Sequence, residues 1–312
     1  MIKNCLVVCM TLIFLTGCTI NRNAATEPPQ TEIPSIEALA PVADNQPLTL
    51  TEDEYPRVDG STATIPLGEA AAAVLMDKDR ADCAKYAEFS GTDSAYRYLA
   101  SGTVDLLMVY EASAETKSDL SGVRFKQAAI GADALVFLVN ASNPVDNLTV
   151  DQIRGIYSGE ISNWREVGGE DAPIAAFQRN ATAGSQALMQ SLVMGEGSMM
   201  TPPAHYLYKA MGELVTAVSN FNSGRYAIGY NVYYYVTEMK KDPNVKILSI
   251  NGVAPDKDVI SKGEYPLTND FYAIIRAEEP DGSPASQIFN WLQGAEGQAL
   301  IDMEGYAAKA VS

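Results

Sequence analysis

The chain has 312 residues, and its 39 acidic side chains against 22 basic ones give a formal charge of -17. Nucleic acid or an anionic membrane surface would need a basic face, so the acidity argues against both as partners.

The N-terminus "MIKNCLVVCMTLIFLTGC" has one early lysine, an apolar run from Leu6 to Leu15, then Leu15-Thr16-Gly17-Cys18. That is a secretory signal layout, too short to span a membrane as a helix. The small residue and glycine before Cys18 resemble a bacterial lipobox, so residues 1–17 are expected to leave and Cys18 to carry lipid. The alternative is an ordinary signal peptide with an incidental cysteine. Residues 18–50 are rich in Pro, Thr, Ala and Glu without any period, which suits a tether. Cys5 and Cys9 leave with the signal, and Cys83 alone remains, which allows neither a disulfide framework nor a zinc site. Losing Lys3 takes the charge from -17 to -18.

The folded part begins with an alanine-rich helix, "LGEAAAAVLM" (67–76), and a second helix over 94–102. A buried strand follows at 104–110 and another at 134–140. "TVDQIRGIYSG" (149–159) is a helix opening at a Thr or Asp cap and closing at Gly159. Residues 185–195 form a helix with Leu188, Met189, Leu192 and Val193 on one face. Strands are predicted at 226–236 and 271–277, and a closing helical pair at 283–305. This alternation implies an α/β fold with mostly parallel sheets.

Three stretches share one design, with hydroxyl residues and glycine placed just before a helix. They are Gly60-Ser61-Thr62-Ala63-Thr64, Ser90-Gly91-Thr92-Asp93-Ser94 and Thr182-Ala183-Gly184-Ser185, the last close behind Arg179. A helix start offers free N–H groups and the positive end of its dipole to an anion. The same residues are also ordinary N-caps, so each stretch alone is ambiguous.

Together these segments resemble the PstS-type phosphate-binding proteins, lipoprotein receptors of bacterial ABC phosphate importers. "DGSTATIPLGEA" resembles the family's first binding loop, and "FSGTDSAYRYLASGTVDLLMV" its second loop, helix and strand. "LTVDQIRGIYSGEISNWREVGG" is the most specific match. "FQRNATAGSQ" resembles the arginine loop, and the "AIGY" strand and the closing "EGQ" helix also match. The resemblance implies a type II periplasmic-binding-protein fold, two α/β lobes joined by hinge strands with a ligand cleft between them. Lobe 1 is then expected at 51–136 and 266–312, lobe 2 at 137–265, with crossings near Ala134–Asn140 and Pro266–Ile275.

Carried over residue by residue, the resemblance implies phosphate contacts from Thr62 and Ala63 with neighbouring Ser61. Thr92 matches the second position, with Ser90 and Asp93 as neighbours. Arg179, Thr182, Gly184 and Ser185 match the third loop. Thr182-Ala183-Gly184 departs from the family's Gly-Ser-Gly, so one hydroxyl is displaced or missing. Some members place a carboxylate after the second strand to accept the proton of hydrogen phosphate; Glu111 falls at or beside that position, with Asp93 its rival.

The implied function is an extracellular, lipid-anchored receptor that delivers inorganic phosphate to an ABC permease, without catalysis, cofactor or metal, and with no membrane contact beyond the lipid. Competing readings are another anion (sulfate, molybdate, a phosphonate or an organic acid), a sensory or adhesion lipoprotein, and a surface hydrolase. A hydrolase would have to use His205, the only histidine, with Ser185, and no Gly-x-Ser-x-Gly elbow surrounds that serine. No P-loop or dinucleotide-binding glycine loop occurs.

Overall fold

A computed structural model describes residues 47–309. The expected signal segment, Cys18 and the tether up to residue 46 lie outside the described residues. The predicted end of the tether at residue 50 needs correction. Leu50 is buried and its N–H donates to Leu75 O at 2.7 Å, and Leu48 packs against the core. Two leucines burying apolar surface outweigh the tether-like composition around them.

Strands β1 (Val58–Gly60) and β2 (Leu106–Val109) are parallel neighbours, with Gly60 opposite Met108. A parallel pair needs a crossover connection. Helices α1 (Ile65–Met76) and α2 (Thr92–Ala100) supply it. Pro66 sits in the first turn of α1, where a missing N–H costs nothing. Helix α2 buries Ala95, Tyr96 and Leu99 on one face and starts two residues before the predicted Ser94.

The strand predicted at 134–140 is the buried half of a longer one, β3 (Phe125–Asn140). Its first half carries Lys126, Gln127 and small alanines, which give no strand signature. The remaining strands of the main sheet are β4 (Ala175–Ala176), β5 (Ala227–Val232), β6 (Val245–Ile247), β7 (Thr268–Arg276) and β8 (Ala307–Ala308). The sheet runs β1-β2-β7-β3-β5-β4, with β6 and β8 also paired to β3. Strand β3 pairs antiparallel with β7 up to Ala134 and with β5 from Leu135. At that change of partner Leu135 N–H donates to Leu267 O at 2.9 Å.

The fold is therefore α/β, as expected, but its sheets are mixed rather than mostly parallel. Among the described residues four strand pairings are parallel and five antiparallel. All five antiparallel pairings involve β3 or β7. The chain passes along β3 and returns along β7 in the opposite direction, and neither direction is written in hydrophobic periodicity.

Helix α3 (Val150–Ser158) opens with a capping box between Thr149 and Gln152 and closes at Gly159, φ 88°. Helix α4 (Gly184–Leu188) continues as a wider π turn over Met189–Met194 and keeps Leu188, Met189 and Val193 buried. The strand predicted at 226–236 stops at Val232, and a helical turn follows. Asp133 accepts the Tyr234 N–H at 3.1 Å, and the Tyr234 ring stacks on Tyr306 at 3.6 Å. Those tertiary contacts override a tyrosine run that favours a strand. Helices α5 (Pro284–Gln293) and α6 (Ala295–Met303) form the closing pair. Among the described residues no helix is long and apolar enough to cross a membrane.

Candidate functional site

The three hydroxyl-rich loops converge on one cleft of about 170 Å³. Ser61, Thr62 and Ala63 come from the turn after β1, and Ser90 and Thr92 from the start of α2. Arg179, Thr182, Gly184 and Ser185 come from the segment leading into α4. Nine of the eleven expected contact residues thus share one cavity wall.

The first loop is fixed by close backbone packing. A Cβ on Gly60 would stand 2.0 Å from Met108 O, so only glycine fits there. Ser61 N–H donates to Met108 O at 3.1 Å, and the Thr64 hydroxyl donates to the same oxygen at 2.6 Å. Ser61 Oγ accepts the Tyr110 N–H at 3.1 Å and lies 2.8 Å from Thr92 Oγ1. Two hydroxyl protons share that one bond, so one is left to donate elsewhere.

Each loop ends at a helical start whose cap residue forms no side-chain cap bond: Ser61, Gly91 and Ala183. Elsewhere Thr149, Ser113 and Ser283 cap their helices by side-chain bonds. The first amides of a helix have no intrahelical acceptor. Asp79 and Gly294 likewise begin helical segments without a side-chain cap bond; what sets the three loops apart is that their uncapped starts line one cleft, where the N–H groups are open to a ligand.

Arg179 is only 6% exposed. Its guanidinium donates to Tyr208 O at 3.2 Å, Lys209 O at 2.9 Å and Ser185 Oγ at 3.4 Å. Its backbone N–H donates to Tyr230 OH at 3.1 Å. Desolvation pushes its pKa below the usual arginine value. The cation is held by neutral oxygens, with no carboxylate bonded to it among the described residues. Leaving a buried charge uncompensated is costly, so the site favours an anion.

Sequence reasoning missed Lys209, Asn180 and Tyr110, which also line the cleft. Lys209 arrives because the short strand Leu207–Tyr208 pairs with Gln178–Arg179. Nothing local in "TPPAHYLYK" signals that pairing. Asn180 Nδ2 donates to Thr182 Oγ1 at 2.7 Å, which leaves the Thr182 proton free for a ligand.

Asp93 and Glu111 do not join the cleft. Asp93 accepts the Ser113 N–H at 3.0 Å and its O–H at 2.5 Å. As the second residue of α2 it is turned about 100° from Thr92. Glu111 pairs with Lys117 at 2.5 Å on the surface. Neighbouring side chains of an extended segment face opposite sides, and here Tyr110 takes the inward one. No aspartate or glutamate lines the cleft among the described residues. His205 is exposed and packs edge-on against Tyr206 at 4.3 Å, also outside it. Among the described residues no group of three or more His, Cys, Asp or Glu side chains could hold a metal ion.

Comparison with known proteins places this geometry in context. The model of the PBP superfamily domain matches residues 45–293. The phosphate-binding protein PstS of Bacillus subtilis is 24% identical over 250 residues, covering 80% of this chain and 79% of that one. The protein of the same name from Borreliella burgdorferi is 24% identical over 188 residues, covering 58% of this chain and 65% of its own length. The crystal structure of an ABC-type phosphate transport receptor from Vibrio cholerae superposes with a TM-score of 0.60. It is 23% identical and covers 80% of this chain and 98% of that one. At that identity the superposition establishes a shared two-lobed fold.

Proposed function

The chain belongs to the PBP superfamily, and from that premise we propose that it is an extracellular receptor that captures inorganic phosphate and delivers it to an ABC permease. The observation that carries this reading is Arg179, a buried cation without a carboxylate partner among the described residues, sharing the cleft with three helical starts whose amides are open. The names of the relatives point to the same ligand.

In this reading residues 51–136 and 266–312 form one lobe and 137–265 the other. The change of strand partner at Ala134/Leu135 supports that boundary. The loops at Thr62 and Thr92 belong to the first lobe, and the Arg179 loop to the second. The mechanism is capture, closure and handover, with no covalent step. The lipid on Cys18 holds the receptor at the outer face of the cytoplasmic membrane, by way of the tether.

Magnitudes allow such a site on an acidic protein. A hydrogen bond to a charged group contributes about 1.5–3 kcal/mol, and micromolar affinity needs about 8 kcal/mol in all. Four or five aimed donors suffice. Surface carboxylates more than about 8 Å away are largely screened at physiological salt. Net charge therefore slows the encounter more than it weakens the complex.

Isothermal titration of the purified protein with phosphate tests the reading. Saturable binding of one phosphate per chain is the expected outcome, and an absence of binding would overturn it.

A further inference from the structure

Ser90 stands in the cleft with its hydroxyl proton already committed. Its Oγ donates to Asp59 Oδ2 at 2.5 Å, and its N–H donates to Asp59 Oδ1 at 2.7 Å. Asp59 itself is 4% exposed on β1, and its Oδ1 also accepts the Gly60 N–H at 2.7 Å. Three donors thus converge on one buried carboxylate. An ionised carboxylate only accepts, so the direction of the Ser90–Asp59 bond is fixed.

That direction gives Ser90 a different role from the loop hydroxyls Thr182, Ser61 and Thr92. Thr182 accepts from Asn180 and keeps its own proton, and the Ser61–Thr92 pair keeps one between them. Arg179, Lys209 and the open amides can only donate. With no carboxylate in the wall among the described residues, Ser90 Oγ is a hydroxyl that presents only lone pairs, and the unpartnered Asn180 Oδ1 is another side-chain acceptor there.

We propose that the Asp59–Ser90 pair sets the selectivity of this site, by making one cleft hydroxyl an acceptor reserved for a ligand O–H. The inference rests on the phosphate reading above. Near neutral pH inorganic phosphate always keeps at least one P–OH, which can donate to Ser90. Sulfate has the same shape and no proton, so one of its oxygens would face the Ser90 lone pairs. A mismatch of this kind discriminates by leaving a polar group unpaired. Asp59 acts at a distance, as a positioning residue.

Asp59→Asn is the sharpest test, because it reverses one bond at constant shape. The introduced carboxamide can keep its oxygen on the two backbone amides while its NH₂ replaces Oδ2 and donates to Ser90. The Ser90 proton is then released toward the cleft. Isothermal titration of the wild type, Asp59→Asn and Ser90→Ala with phosphate and with sulfate reads the outcome. The wild type is expected to prefer phosphate by tenfold or more, about the worth of one mispaired hydrogen bond. Asp59→Asn should shrink that ratio at least about tenfold, partly by improving sulfate. Ser90→Ala should weaken phosphate without weakening sulfate, and it leaves both backbone N–H bonds to Asp59 in place should Asp59→Asn fold poorly. An unchanged phosphate-to-sulfate ratio in the variants that fold would overturn the inference, as would equal binding of both anions by the wild type. A wild type that binds neither anion would instead remove the phosphate reading, and this inference with it.

Discussion

Thr92 and Gly184 meet across the cleft: a Cβ placed on Gly184 would stand 2.5 Å from Thr92 Oγ1. One residue begins α2 and the other begins α4, so the Thr92 side chain occupies the space that a side chain at the start of α4 would need. The glycine is there for proximity, since its φ does not require one.

Gly184→Ala should therefore hold the two loops apart. Affinity for phosphate is expected to fall at least about tenfold, or 1.4 kcal/mol. Thermal stability without ligand should change little, because the added methyl burdens only the approach of the loops. Titration calorimetry and a melting curve measure the two effects separately.

Arg179→Ala should abolish phosphate binding. For the wild type, phosphate at about a hundred times Kd stabilises the fold by about 2.7 kcal/mol through mass action. The melting midpoint of the variant should no longer respond to phosphate. An undiminished response would exclude the arginine from the site.

Burial raises the Asp133 carboxyl from its ordinary 3.8 to about 6. It lies on β3 beside the change of partner, accepting the Tyr110 hydroxyl at 2.6 Å and the Tyr234 N–H at 3.1 Å. The folded state holds this proton more tightly than the unfolded chain does. The contribution of this group is therefore fully present below about pH 4 and lost as pH rises through about 6. The difference corresponds to about 3 kcal/mol. Comparing denaturation of wild type and Asp133→Asn from pH 4 to 8 isolates it: the gap between the two curves should change across this window and be flat above it.

Thr149→Ala removes one half of the capping box that opens α3. It should cost about 1 kcal/mol of stability. Because Thr149 is remote from the cleft wall, phosphate affinity should stay the same. This variant separates loss of fold stability from loss of binding in the tests above.

Much of the site is legible in the sequence because its parts are local. Gly60-Ser61-Thr62, Ser90-Gly91-Thr92 and Ala183-Gly184-Ser185 each declare a helical start with small side chains, whose free amides make it a candidate anion site. The helices at 65–76, 150–158 and 284–303 are equally visible, through apolar spacing, caps and terminating glycines. Lys209 is invisible, since it reaches the cleft only through a two-residue strand pairing thirty positions from Arg179. The helical turn after Val232 is invisible as well, because Asp133 and Tyr306 impose it from distant parts of the chain.

The sequence by itself determined the class of fold, the three hydroxyl-rich loops and the arginine among them. These depend on interactions within a few residues, which propensity and spacing encode directly. Only the tertiary structure decided which carboxylate matters and which way each points. Asp93 turned to Ser113, Glu111 turned to Lys117, and Asp59, hidden behind Ser90, bonds that cleft serine. A side chain's direction is set by the helix phase, the strand alternation and the neighbours it meets. Two of those partners lie about twenty and thirty residues away in the chain, and folding alone brings them together.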